Sequence, residues 1–118
     1  MTAIEALADT EFCYLTTRGR RTGRPHRIEI WFVAHDDGVY LLSDSGRSDW
    51  CRNLLADPHV VIEVGDERRE TLARPVDRDD PVNAVVRPAM VAKYQHGYGE
   101  DLRGWSETGW LARVEWPA

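Results

Sequence analysis

Hydrophobic and polar positions alternate most plainly over residues 26–34. Ile28, Ile30, Phe32 and Ala34 form one set, and Arg27, Glu29, Trp31 and Val33 the other. A period of two is that of a strand with one face on a core and the other toward something more polar. His35-Asp36-Asp37-Gly38 follows, a hairpin signal in which Asp-Gly supplies the positive φ of a tight turn, so residues 39–43 are expected to return antiparallel. Residues 12–17 are aromatic, aliphatic and β-branched and predict an earlier strand. Residues 59–64 and 68–76 predict a later pair around Gly65-Asp66-Glu67, and residues 111–116 a last strand.

Three segments have helical patterning. Residues 1–9 predict a short helix with Ile4, Leu7 and Ala8 on one side. Residues 48–56 predict a second, with Ser48 as N-cap and Trp50, Leu54 and Leu55 on its inner face, stopped by Asp57-Pro58. The third opens at Asp80-Pro81, where an acid and a proline suit a first turn, and runs to about Tyr94. Val82, Val85, Val86, Met90 and Val91 are its apolar side, and residues 95–101 follow as a loop. The fold class expected is mainly β with helices (α+β). Six strands joined chiefly by hairpins predict an antiparallel sheet, and so many short strands in 118 residues favour closure into a barrel, which removes sheet edges. The length suits a single domain over residues 1–118, with one core and little left over for a second.

Charge changes this picture in one place. The chain carries a formal net charge of -5, which argues against a nucleic-acid partner. Yet residues 16–27 contain Arg18, Arg20, Arg21, Arg24 and Arg27 and no acid. A basic island on an acidic protein suggests a local anion site, since guanidinium groups bind phosphate or carboxylate in planar pairs. Gly19 and Gly23 would let the backbone approach an anion and offer it amide donors. The plainer alternative is a solvated turn that keeps a hairpin edge from aggregating. Residues 44–47 open onto a helix N-terminus, a second place suited to negative charge.

Individual residues add less. Trp50 belongs in the core on any reading, while the Asn53 amide could brace a loop or meet a ligand carbonyl. Trp31 could stack near a ligand ring, but burial in a subunit interface is favoured, because aromatic residues are enriched there. Tyr94, His96 and Tyr98 could donate a proton by residue type, with packing the favoured role, and no catalytic residue is assigned. Cys13 and Cys51 have no CxxC spacing and are read as reduced, buried thiols. His26, His35, His59 and His96 are too scattered for a metal site. No GxSxG elbow, P-loop or GxGxxG is present. No signal peptide and no apolar run of the ~18–20 residues that span a membrane is found, so a cytoplasmic protein with no membrane partner is expected.

Three segments together resemble the deazaflavin-dependent nitroreductase family, within the split β-barrel flavin and deazaflavin oxidoreductases. They are Thr16-Thr17-Arg18-Gly19-Arg20-Arg21-Thr22-Gly23-Arg24-Pro25, the strand pair over 28–43, and Trp50-Cys51-Arg52-Asn53-Leu54 with Asp57-Pro58. The resemblance implies a six-stranded antiparallel split β-barrel of the FMN-binding kind and a homodimer. It implies coenzyme F420 as cofactor, with FMN as the alternative, and an oxidoreductase that passes a hydride to a small-molecule substrate such as a quinone, nitro compound or activated alkene. A module that binds the cofactor without turnover is the other class left open. Carried over by motif, the cofactor-binding candidates are Arg20, Arg21, Thr22, Gly23 and Pro25, then Ser43, Asp44, Ser45, Gly46 and Arg47, then Trp50 and Asn53.

Overall fold

Residues 25–35 leave the extended conformation at Trp31-Phe32, and that break organises the whole sheet. The computed structural model describes residues 3–118. Among them seven strands pair antiparallel: β1 (Cys13–Arg18), β2 (Pro25–Ile30), β3 (Val33–His35), β4 (Gly38–Ser43), β5 (His59–Val64), β6 (Glu67–Pro75) and β7 (Trp110–Glu115). Their order across the sheet is β2-β1-β5-β6-β7-β4-β3. The single strand expected over 26–34 is therefore two strands at opposite edges, and the six expected strands become seven. Nor is the barrel closed by a ladder. The sheet is a curled half-barrel whose two edges are tied covalently by Trp31-Phe32. The curl passes through β6, where residues 67–72 pair with β5 and residues 73–75 with β7.

Two hydrophobic clusters follow from this curvature, where one core was expected. The inner cluster fills the curl with Leu15, Phe32, Val39, Leu41, Ile62 and Val114 among others. The outer cluster joins Val33, Tyr40, Leu42 and Leu111 to Val86 and Met90 of α2 (Asn83–Tyr94). β4 is buried along its entire length, because its alternate side chains enter the two clusters in turn. Its hairpin with β3 puts positive φ on Asp36 (47°) and Asp37 (59°), not on Gly38, because His35 and Gly38 are the paired residues. A Cβ on Gly38 would lie 2.7 Å from the Arg113 guanidinium, so a larger residue there would have to displace that side chain from Glu115 and Tyr40.

The helices close the ends. α1 (Asp49–Ala56) buries Trp50, Cys51, Asn53 and Leu54. Leu55, expected on the inner face, is 56% exposed, since five positions after Trp50 is about 140° round the helix. α2 starts at Asn83, after a turn in which the Val82 amide donates to Asp80 Oδ1 at 2.9 Å, and it exposes Val85 while burying Arg87. A helix the sequence did not announce, α3 (Arg103–Thr108), packs beside α2 through Trp105. Its final carbonyls accept from Arg78 and Arg87 at 2.7–2.8 Å, cations at a helix C-terminus. The first helix shrinks to a 3-10 turn at Glu5–Leu7, and Met1 and Thr2 lie outside the described residues. Both cysteines are free and buried, and burial pushes the Cys13 thiol up to about 12. Among the described residues no helix is long and apolar enough to cross a membrane.

At the crossing between edges no neighbouring strand supplies hydrogen bonds, and Phe32 is fully buried. Side chains of α2 take over. The Phe32 amide donates to the Tyr94 hydroxyl at 2.9 Å, while that hydroxyl lies 3.0 Å from the Phe32 carbonyl and 2.8 Å from that of Glu11. One phenolic proton cannot serve both carbonyls, and Lys93 Nζ provides Phe32 with a second donor at 3.0 Å. The same ammonium sits 3.6 Å over the Phe32 ring. Burial lowers the Lys93 pKa to about 8 and raises that of Tyr94 to about 12. Replacing Tyr94→Phe leaves a buried amide unpaired, and we expect a loss of about 1–3 kcal/mol in urea unfolding. A variant as stable as the parent would show that the crossing does not depend on this hydroxyl.

Candidate functional site

The arginine island occupies the turn between β1 and β2. The turn is closed by Gly19 N to Arg24 O and Gly23 N to Gly19 O, both 2.8 Å, with Gly23 at a φ of 75°. The Thr22 hydroxyl accepts from the Arg24 amide at 3.2 Å, and Pro25 begins β2 opposite Arg18. The five arginines divide into two groups. Arg18 pairs with Asp57 at 3.2 Å, Arg20 with Asp49 at 3.2 Å and Arg27 with Glu63 at 3.0 Å. Arg21 and Arg24 are exposed and have no acidic partner among the described residues.

Asn53 fixes this turn to the rest of the molecule. Its Oδ1 accepts from the Arg20 amide at 3.2 Å and from the Arg20 guanidinium at 2.8 Å, while its Nδ2 donates to Thr17 Oγ1 at 3.1 Å. Asn53 and Thr17 are each 1% exposed, so the bond between them is shielded from water, while Arg20 reaches from this buried amide to the surface. Asn53 thus braces a loop, one of the two roles its amide allowed. Arg20 is bound to α1 through both Asn53 and Asp49.

The loop before α1 is ordered from within. Ser43 Oγ lies 2.8 Å from Ser48 Oγ and accepts from the Gly46 amide at 3.2 Å. Ser48 therefore turns toward Ser43, and toward Cys51 Sγ at 3.6 Å, and its side chain makes no cap on α1, contrary to expectation. Gly46 has a φ of 74°, and a Cβ there would meet the Trp110 ring at 2.8 Å, so only glycine fits. Asp44, Ser45 and Arg47 are exposed, and Ser45 Oγ accepts from the Arg47 amide at 3.2 Å. Trp50 is a core wall, edge-on to Trp110 at 5.8 Å.

The arginine turn has a cleft on either side. One, of about 430 Å³, is lined by Arg20, Arg21, Thr22, Arg24, Pro25 and Asn53 among others. The other, of about 640 Å³, runs over the outer face of the sheet past Thr16, Gly23, Pro25, Val61 and Leu72. The structure therefore gathers most of the first candidate group with Asn53. The second group, Ser43 to Arg47, meets it only through α1, and Asp44 lines a separate cleft with Trp31. Arg24, part of the basic island but absent from the motif-derived candidates, and Asp49 also line the smaller cleft. Arg24 could have been found, as it belongs to the same acid-free run, but the pairing of Asp49 with Arg20 joins residues 29 apart. Of the proton-donor candidates, Tyr94 is committed to Phe32. His96 lies in a cleft with Lys93, and Tyr98 is exposed. Trp31, for which an interface was favoured, is half-buried, with Tyr94 stacked on it at 4.3 Å.

The model of a family described as F420H(2)-dependent quinone reductase matches residues 2–106. An F420H(2)-dependent quinone reductase of Mycobacterium tuberculosis is 36% identical over 72 residues, covering 57% of this chain and 48% of that protein. The chain spans about half the length of the curated relatives it matches. Among solved structures, the heme storage protein HutZ of Vibrio cholerae superposes with a TM-score of 0.75 at 23% identity, over 98% of this chain and 88% of that one. A protein titled F420-H2 dependent reductase superposes with a TM-score of 0.69 at 20% identity, over 88% and 93%. At such identities the two structures show a shared fold.

Replacing Asn53→Ala leaves the buried Thr17 hydroxyl without its donor and releases the Arg20 amide and guanidinium from α1. We expect a loss of about 1–3 kcal/mol and faster proteolysis within residues 18–25. Parental stability with an unchanged cleavage pattern would count against the brace.

Proposed function

Because this chain belongs to the F420H(2)-dependent quinone reductase family, whose description assigns it coenzyme F420, we propose that it holds the reduced coenzyme beside the β1–β2 turn and serves the reduction of a quinone. Nitro compounds and activated alkenes are the wider acceptor class proposed. The 118 residues are read as one cofactor-binding domain. The observation that carries the reading is the division of the arginine island. Arg20 is spent on α1 and on Asp49, the acid that lines the same cleft, while Arg21 and Arg24 stand over that cleft with no acidic partner among the described residues.

That donor set suits the group. The coenzyme carries a phosphodiester and a glutamate tail, and two free guanidinium groups can pair with such anions in a planar, bidentate manner. Arg21 and Arg24 would hold the tail, with Thr22, Gly23 and Pro25 shaping the turn beneath it. Arg20 and Asn53 would act as positioning residues. Ser43 to Arg47 would bound the site on the α1 side, with Arg47 as a further cation and Asp44 on the side of Trp31. When bound, the reduced coenzyme supplies a hydride. The chain supplies orientation, charge and exclusion of water. FMN, with one terminal phosphate, would need fewer of these cations.

A homodimer is also proposed. Support comes from the outer sheet face, where Leu72 is 49% exposed beside Val61 in the larger cleft.

The double substitution Arg21→Ala with Arg24→Ala should weaken coenzyme F420 by more than about tenfold in fluorescence titration at low salt, roughly 1.4 kcal/mol or more. Undiminished affinity would overturn the tail assignment, and tighter binding of FMN than of F420 would overturn the cofactor. Light scattering at micromolar concentration should give twice the chain mass. A monomer there would refute the dimer.

A further inference from the structure

Of the fifteen lysine and arginine residues in the chain, only residue 93 is a lysine. A guanidinium keeps its proton in a protein, whereas an ammonium can lose one and become a nucleophile. Lys93 is therefore the one side chain here that can present a neutral primary amine. It is half-buried, and it lines a cleft of about 550 Å³ between β3, α2 and the segment that follows the first 3-10 turn. The other walls are short and apolar, from Ala8, Val33, Ala34, Ala89 and Ala92. Asp9 and His96 are the remaining ionisable groups in the lining.

Burial is the largest influence on the amine and disfavours its charged form, while Cys13 and Asp9 pull the other way without offsetting it. At about 8, the amine is neutral in about one-tenth of molecules at pH 7. For an ordinary lysine near ~10.4 the fraction is below about one-thousandth. The surroundings of Nζ also select among electrophiles. Nζ lies 3.0 Å from the Phe32 carbonyl and 3.6 Å over the Phe32 ring. An acyl group on the nitrogen would abolish its charge and the attraction to the ring. An iminium keeps the charge for the ring and one N–H for the carbonyl, so the site favours an aldehyde over an acyl donor. The short apolar walls suit an uncharged aliphatic chain, and Asp9 would repel an anionic one.

We propose that Lys93 forms a Schiff base with a small aliphatic aldehyde held in this cleft. The neutral amine adds to the carbonyl carbon. A C–N bond forms as the carbonyl π pair moves to oxygen, and that oxygen takes up the proton the nitrogen releases. The nitrogen lone pair then expels the hydroxyl, which leaves as water on receiving a proton from His96 or solvent. In sum, ammonium and aldehyde become iminium and water, with no oxidant or reductant consumed. The cleft shares no residue with the arginine turn, so this site and the coenzyme site stand or fall separately.

Butanal with cyanoborohydride, which reduces an iminium to a stable secondary amine, serves as probe. At pH 7 mass spectrometry of the full chain should show butylation of Lys93 at least about tenfold faster than of Nα-acetyl-lysine in the same solution, with peptide mapping to separate it from the α-amine. This advantage should shrink once the pH passes about 8, because Lys93 is then largely neutral while free lysine is still losing protons. Ala92→Leu adds bulk to the lining at an exposed position, leaves the amine in place and should slow labelling several-fold. Lys93→Arg keeps a cation and should abolish labelling at this position. Circular dichroism of each variant establishes that it is folded. Labelling no faster than that of acetyl-lysine, or unchanged in folded Ala92→Leu, would overturn the Schiff-base site.

Discussion

A chain that crosses directly from one edge of a curled sheet to the other must pass through a point where no strand lies alongside. Here that point is the Phe32 peptide, and its groups are too deeply buried to be left to water. The solution is a pair of adjacent side chains, Lys93 and Tyr94, from the last turn of α2. Much else depends on it. The crossing holds β2 and β3 close enough to bound one inner core, docks α2 on the outer face of β4, and presents Trp31 to Tyr94 as the first ring of an aromatic cluster.

The candidate site is built by the same device at the other end of the molecule, where a buried amide takes the place of a ladder. Asn53 ties the β1–β2 turn to α1 and takes Arg20 with it. Once Arg20, Arg18 and Arg27 are paired, the basic island presents only two free cations. A turn with five free arginines would repel itself. A turn with three neutralised and two free is both stable and selective for an anion that can reach it.

The cleft beside the β1–β2 turn and the one that Asp44 shares with Trp31 differ in their charges. Arg21 and Arg24 line the first, beside the paired Arg20 and Asp49, and Asp44, Glu100 and the Arg103-paired Asp101 line the second. The loop over residues 43–48 runs between them, with Asp44 facing one side and α1 the other. Its rigidity, set by Gly46 beneath Trp110 and by the Ser43–Ser48 contact, keeps the two regions distinct.

Local pattern sufficed wherever a residue's role depended on its neighbours in sequence. The hairpins, the placing of α1 and α2, the acid-free arginine run and the family resemblance were all legible, because period, turn chemistry and motif spacing are short-range properties. The break at Trp31-Phe32 was not, since alternation runs through it unchanged, with Phe32 and Ala34 facing the inner core as a continuous strand would have them. Nor was α3, whose last carbonyls are met by Arg78 and Arg87 from 29 and 19 residues away. Which arginines would be free, and that Tyr94 and Trp105 would pack on Trp31, turned on partners about 29 to 74 residues distant. Sequence determined the elements and the chemistry available to them. Tertiary structure decided which polar groups were already satisfied, because satisfaction depends on what folding brings into contact.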